Sequence, residues 1–269
     1  MEKSQKFYLS LFLAFIFFGC QTNQEKAIEA SEFGFHFYQG DPTHMNAFAY
    51  ALELDSTNAE NWRELSVTYL KRGIPHNWKK YYDKAIEHDP ITWQPWRGYL
   101  YLWFYRDYKK AIADFNASDT LTPNFIDAPQ GHSVDYWRGI AYLGLKNYEK
   151  SNWYFEKHIK KETKDFGEDY VDLTAFLYNG ISYFESGDYE KALLNFNKQL
   201  EYGKNLSADA KFYKAQIFRI ENKTEEAKII INSAIEDFNA GYFNNRNYVE
   251  TLRQIYLEDL NDLKKQLIN

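Results

Sequence analysis

A chain of 269 residues with a formal charge of −6 at pH 7 lacks the basic face that nucleic acid requires. Aromatic side chains make up 19% of it, too much bulky apolar surface to leave in water, so a sizeable core is expected. The single cysteine, Cys20, excludes a disulfide framework and a cysteine-based zinc cluster.

Residues 1–19 read as a targeting segment. Lys3 and Lys6 give a positive start, and Phe7–Phe18 is apolar apart from Tyr8 and Ser10. That run is shorter than the roughly 20 residues needed to span a bilayer and has the length of a secretory apolar region. Gly19-Cys20 at its end resembles a bacterial lipoprotein lipobox, with Phe17 and Phe18 as departures from the pattern. The resemblance implies acylation of Cys20 and stable anchoring, since each buried CH₂ contributes about 0.8 kcal/mol. Residues 20–26 are expected to be a polar tether.

From residue 27 to 244 the chain reads as helix pairs. In the first, Phe33, Phe35, Phe37 and Tyr38 supply one helix, Gly40-Asp41-Pro42 turns the chain, and Phe48 and Ala51 lie on the return. In the second, Trp62, Leu65 and Tyr69 recur at helical spacing on one face. Gly73 closes that helix, Tyr82 and Ala85 mark its partner, and Pro90 forbids continuation. The third carries Trp93, Trp96, Tyr99, Leu100 and Trp103, then Tyr108, Ala111 and Phe115. It lacks the turn glycine, so a tighter corner is expected at Arg106-Asp107.

An insertion with Pro129 and Gly131 follows at 124–132 and reads as a loop. The fourth pair runs through Gly139 and Tyr142 to Tyr148, Ser151 and Phe155. Charged residues 160–169 read as a second exposed loop. The fifth pair has Phe176, Gly180, Tyr183, Gly187, Ala192 and Phe196; the sixth has Ala215, Phe218, Ala227, Ile231 and Ala234. Residues 245–269 are expected to form a capping helix, with the apolar spacing running from Tyr248 to Leu267.

The Trp62–Pro90 stretch resembles the tetratricopeptide signature, a period of about 34 residues, and the fifth pair follows it closely. Trp78 stands where that family usually has Ala, so some splay of the second pair is expected. The resemblance implies an all-α, right-handed solenoid of about six helix pairs with a C-terminal cap. With the lipobox it is similar to the repeat-containing lipoproteins of Bacteroidota-type bacteria. It further implies a scaffold or adaptor that binds other proteins, located in the cell envelope and outer membrane.

In that family the first helix of each pair lines the concave groove. Aligning the pairs places Arg63, Glu64 and Val67 inward, then Arg97 and Tyr101, then Tyr136, Trp137 and Ile140. Tyr178, Ile181, Phe212, Tyr213, Gln216 and Arg219 complete the set. Aromatics and Arg are the side chains that dominate binding hot spots, so a protein or peptide partner is expected there. The other reading of Trp137 and Phe212 is that they belong to the core. An alternative ligand is a carbohydrate or small molecule, since Trp and Tyr stack on sugar faces.

Chemistry finds little support. The six histidines are scattered without metal-ligand spacing, and His132 with Asp135 and Asp127 makes only a loop cluster. No Gly-x-Ser-x-Gly elbow or phosphate-binding glycine motif occurs. No cofactor, no metal and no enzymatic activity are expected.

Overall fold

The computed structural model describes residues 21–268. Cys20 and the targeting segment lie outside the described residues. Within them the fold is all-α, with thirteen α-helices and no strand. The described residues divide into two compact units, with the division between Pro90 and Ile91.

The first unit holds α1 (Asn23–Gly34), α2 (Pro42–Leu54), α3 (Ala59–Lys71) and α4 (Pro75–His88). Helix α1 starts inside the stretch expected to be a tether. Thr22 and Glu25 form a reciprocal capping box there, which satisfies two backbone donors that would otherwise fray the end. The same helix stops at Gly34, so Phe35, Phe37 and Tyr38 fall in the corner, and Phe33, Phe35 and Tyr38 are exposed. The Phe-rich run therefore marks the end of a helix rather than its buried face. Trp78 is fully buried, its ring 5.8 Å from that of Tyr82.

The second unit stacks four pairs and a cap. They are α5 (Pro90–Phe104) with α6 (Tyr108–Leu121), α7 (Val134–Gly144) with α8 (Tyr148–Phe166), α9 (Leu173–Ser186) with α10 (Tyr189–Tyr202), and α11 (Ala208–Ile220) with α12 (Thr224–Asn239). The cap is α13 (Leu257–Ile268). Leu260, Leu263 and Leu267 pack on Ala227, Ile231 and Ala234, closing the apolar end of the stack.

Each crossing within a pair sets a small residue against a large one. A Cβ placed on Gly98 would come within 2.7 Å of Phe115, on Gly139 within 2.8 Å of Phe155, and on Gly180 within 2.5 Å of Phe196. Ala215 is packed in one cluster with Ile231 in the second unit, and Ser66 in the first unit is small and fully buried. Ala85 and Ala192 are likewise fully buried, as the periodicity predicts.

The corners follow one hydrogen-bond pattern. Gly73 and Gly187 are left-handed, and the next N–H reaches back five residues, from Ile74 to Tyr69 O and from Asp188 to Tyr183 O. Lys146 and Asn222 take the same left-handed conformation without being glycine. At the third corner Asp107 N–H reaches Tyr101 O, six residues back, with Arg106 left-handed. That corner is longer by one residue, not tighter.

Two further expectations are corrected. Residues 160–166 are helical, because Lys161 pairs with Asp165 one turn on and α8 ends only at left-handed Gly167. The C-terminal helix begins at Leu257, so the apolar spacing from Tyr248 overstates it. Residues 240–256 form instead a seventeen-residue connection without helix.

Candidate binding face

That connection defines the site. It leaves α12 through left-handed Gly241, and Ala208 at the start of α11 donates to Tyr242 O at 2.8 Å. Asn244 N–H donates to Asp209 Oδ2 at 2.7 Å, and its side-chain amide donates to Tyr178 Oη at 2.9 Å. Arg246 then reaches α5 and α7. Its guanidinium carbon lies 4.3 Å from the Trp103 ring centroid, 5.5 Å from Tyr99 and 5.6 Å from Trp137, and it donates to Tyr99 Oη.

The chain turns back at residues 247–250, where Arg106 donates to Glu250 O. Thr251 Oγ1 sits 3.4 Å from Asn244 O, closing the excursion on itself. Arg253 pairs with Glu185 at the end of α9, and Leu252 and Ile255 are buried before α13 begins. One polypeptide strap thus crosses first helices from all four pairs of the second unit.

Sequence alignment placed ligand-binding side chains on these helices, and the structure sorts them. Trp137 and Tyr178 do face the strap, but beneath it, at 0% and 2% exposure. Trp137 is also core, as its alternative reading held: Nε1 donates to Pro129 O at 2.9 Å and ties the insertion loop to α7. Tyr136 lies between α7 and α9, its hydroxyl 2.6 Å from Thr174 Oγ1 and its ring stacked on His132. Tyr213 is stacked on Phe196 and buried. Tyr101 is buried too, under Lys110, and Arg97 makes a two-pronged pair with Asp114 at 2.8 and 2.7 Å. Both face α6 rather than a groove.

Arg219 is exposed and donates to Gln266 on the cap. Arg63, in the first unit, is half-buried and contacts Glu64, itself buried with Gln39 at 2.7 Å. Ile140, Ile181 and Val67 are buried; Phe212 and Gln216 are intermediate.

The face-bearing residues on α5 are Tyr99 and Trp103, two positions on from Arg97 and Tyr101. At about 100° per residue, a two-residue slip turns the helix face through some 200°. The Trp96, Tyr99, Trp103 stripe was the signal available. Asn244 and Arg246 carried a weaker one, an Asn-Asn-Arg-Asn run that breaks helical spacing before Tyr248.

Burial shapes the titration of the site. It pushes the Asp209 carboxyl up to about 7 and the Tyr178 hydroxyl up to about 12. Burial also holds His132 below the usual imidazole range. His158 falls to about 4, mainly by burial and then by the nearby His132. Ser133 caps α7 and stands 3.0 Å from His158 Nδ1; its oxygen already accepts the Tyr136 N–H. The geometry is that of a capped helix end leaning on a neutral imidazole. Asp135 and Asp127 are likewise engaged, Asp135 with Arg138 and Lys157 and Asp127 with Thr122. Among the described residues no group of three His, Cys, Asp or Glu is placed to hold a metal ion, and no helix is long and apolar enough to cross a membrane.

No protein-family model and no curated protein matches this chain. Solved structures do. The chain is similar to PilW, described as a widely conserved type IV pilus biogenesis factor, with a TM-score of 0.62 at 13% identity, over 79% of this chain and 94% of that one. It is similar to Pseudomonas aeruginosa pilF, with a TM-score of 0.59 at 15% identity, over 81% and 99%. YrrB, described as a TPR protein with an unusual peptide-binding site, matches with a TM-score of 0.53 at 19% identity, over 72% and 93%. These likenesses establish the tetratricopeptide-type helical-repeat fold.

Proposed function

We propose that the chain is a non-enzymatic scaffold that docks an extended segment of another envelope protein along α5, α7, α9 and α11. One observation carries the reading. That face already holds a non-helical stretch of polypeptide, gripping its backbone through Asp209 and Arg106 and its side chains through Tyr178 and an aromatic cluster. A surface that captures main-chain groups together with a few anchoring side chains is suited to peptides. Peptide binding by YrrB, a protein of the same fold, supports the same reading.

The lipobox-like Gly19-Cys20 supports anchoring at the cell envelope, at the outer membrane, through acylation of Cys20. A sugar platform gains no such support, since the aromatic faces of Trp103 and Trp137 are covered by Arg246.

Two measurements test the proposal. Fatty-acid labelling is expected in the full chain and lost in Cys20→Ser; an unlabelled, freely released wild type would overturn the anchor. Crosslinking from a photoreactive residue at position 245, in solubilised envelope, is expected to capture a discrete protein. Capture only from probes on α6, α8 or α10 would move the site to the outer helices.

A further inference from the structure

The strap is far longer than its task of connection requires. Helices α12 and α13 pack on each other through Ile231, Ala234, Leu260 and Leu263, and neighbouring helices are commonly joined by about two to eight residues. Here residues 240–256 intervene, and they travel to α5 and back. Two non-glycine residues of the strap, Tyr248 and Arg253, are held at φ 71° and 59°, a conformation unfavourable for L-residues. Tyr248 is 78% exposed, and positions 245, 247 and 250 are exposed as well. The turn of the strap, at residues 245–250, therefore largely faces water, whereas Thr251, Leu252 and Ile255 behind it are buried.

The principal anchor is a guanidinium among three aromatic rings. Tyr99, Trp103 and Trp137 surround Arg246, and each ring face attracts the cation. The rings are fixed from behind. Trp137 is bonded to Pro129 O and packed edge-on to Trp103 and Tyr99 at 6.0 and 5.2 Å. Nothing in that arrangement depends on the arginine belonging to the same chain.

We propose that Tyr99, Trp103 and Trp137 form an arginine-binding cage for an extended partner segment, and that strap residues 242–253 are its exchangeable occupant in cis. The preferred ligand carries arginine two residues after asparagine, so that the asparagine meets Asp209 and Tyr178 while the arginine enters the cage. This rests on the reading of the inner face as a peptide-binding surface and specifies its ligand. A strap tethered at both ends competes at an effective concentration of order millimolar, so a free peptide at micromolar concentration is excluded from the wild type.

The test uses the full chain in detergent and a fluorescent synthetic peptide of residues 242–253. Removing the cis arginine in Arg246→Ala is expected to strengthen peptide binding about tenfold or more over wild type, since a desolvated cation–π anchor is worth roughly a factor of thirty. A peptide with alanine in place of its arginine is expected to lose that gain. Equal, weak binding of the intact peptide to wild type and to a folded Arg246→Ala would overturn the proposal. If Arg246→Ala fails to fold, Arg246→Lys, which keeps the charge and loses the planar stack, takes its place with the same two outcomes. Amide exchange in the wild type provides a second check: strap amides are expected to exchange at least about a hundredfold faster than those of α9 and α11, as local opening requires. Protection equal to the helices would make the strap a permanent part of the core and sink the inference. Partner capture from envelope that persists without peptide exchange defeats the cage and leaves the scaffold reading standing. Peptide exchange with no change in partner capture supports the cage and moves the partner elsewhere.

Discussion

Arg138 and Arg246 belong to the same unit, and the way each is held separates what is fixed from what is exchangeable. Arg138 is buried between α6 and α7. It donates to Asp135 at 2.8 Å, to Asn116 at 3.1 Å, to Asp119 and to the Phe115 carbonyl, with its plane over Tyr154. All three of its nitrogens donate to protein acceptors, as a buried guanidinium demands. Arg246 meets one hydroxyl and three ring faces and is only partly buried. The first locks two repeats together; the second rests in a surface that another guanidinium could fill.

The largest expected effect comes from breaking the lock. Arg138→Ala leaves Asp135 buried with only Lys157 as its remaining cation, at 2.8 Å, and removes one donor from the Phe115 carbonyl, which keeps Ser118 Oγ. Removing one partner of a buried pair costs about 3–5 kcal/mol, and Lys157 keeps this case toward the lower end. Urea unfolding measures it. A loss below about 1 kcal/mol would show that the α6–α7 junction does not depend on this network.

Asp209 and His158 give opposite pH signatures over one window. Below its ordinary value of 3.8, Asp209 is protonated in both states. As pH rises toward 7 the unfolded carboxyl ionises first, so stability is lost, by up to about 4 kcal/mol. His158 is neutral in both states above 6.5; as pH falls toward 4 the unfolded imidazole gains its proton first, and up to about 3 kcal/mol is lost. In the wild type the two slopes largely cancel. Asp209→Asn is expected to be less stable at pH 4.5 than at 7.5, and His158→Gln to be more stable at 4.5. Parallel pH profiles in the two variants would contradict the burial of both groups.

Gly180→Ala tests the crossing common to the pairs. Its Cβ would stand 2.5 Å from Phe196 Cε1, and Phe196 is fully buried. Overpacking of this kind costs about 1–3 kcal/mol, read as a lowered urea midpoint. This is the layer of structure that was legible from the residues alone. Small-against-large spacing, left-handed glycine corners and apolar stripes are local rules, and they placed Gly180, Gly187, Ala192 and Phe196 where they lie. The face was less legible. Choosing which stripe of α5 points inward needed the position of its neighbours, so Arg97 and Tyr101 were turned toward the groove although Asp114 and Lys110 hold them against α6. The path of the strap was not legible beyond the break in helical spacing at residues 244–247, because its contacts join residues far apart in sequence, such as Arg246 with Tyr99 and Asn244 with Tyr178.

The smallest effect belongs to the second arginine, and it decides whether the comparison holds. Arg246→Ala removes a cation from three ring faces and one hydrogen bond from Tyr99. A cation–π contact contributes about 0.5–1 kcal/mol when exposed and about 2 when desolvated. No carboxylate is orphaned by the change, because Asp209 receives the Asn244 backbone and Glu185 pairs with Arg253. Those two contacts still hold the ends of the strap, so most of the remaining structure is undisturbed. A loss of about 1–2 kcal/mol is therefore expected in urea, clearly below that of Arg138→Ala. The double variant should lose close to the sum, since the two guanidiniums share no partner and such sites add within about 0.5 kcal/mol. A loss for Arg246→Ala equal to that of Arg138→Ala would mean that the strap is welded to the face. A strap so fixed could not give way to another chain, and the four first helices would then be a buried interior rather than a surface on which anything docks.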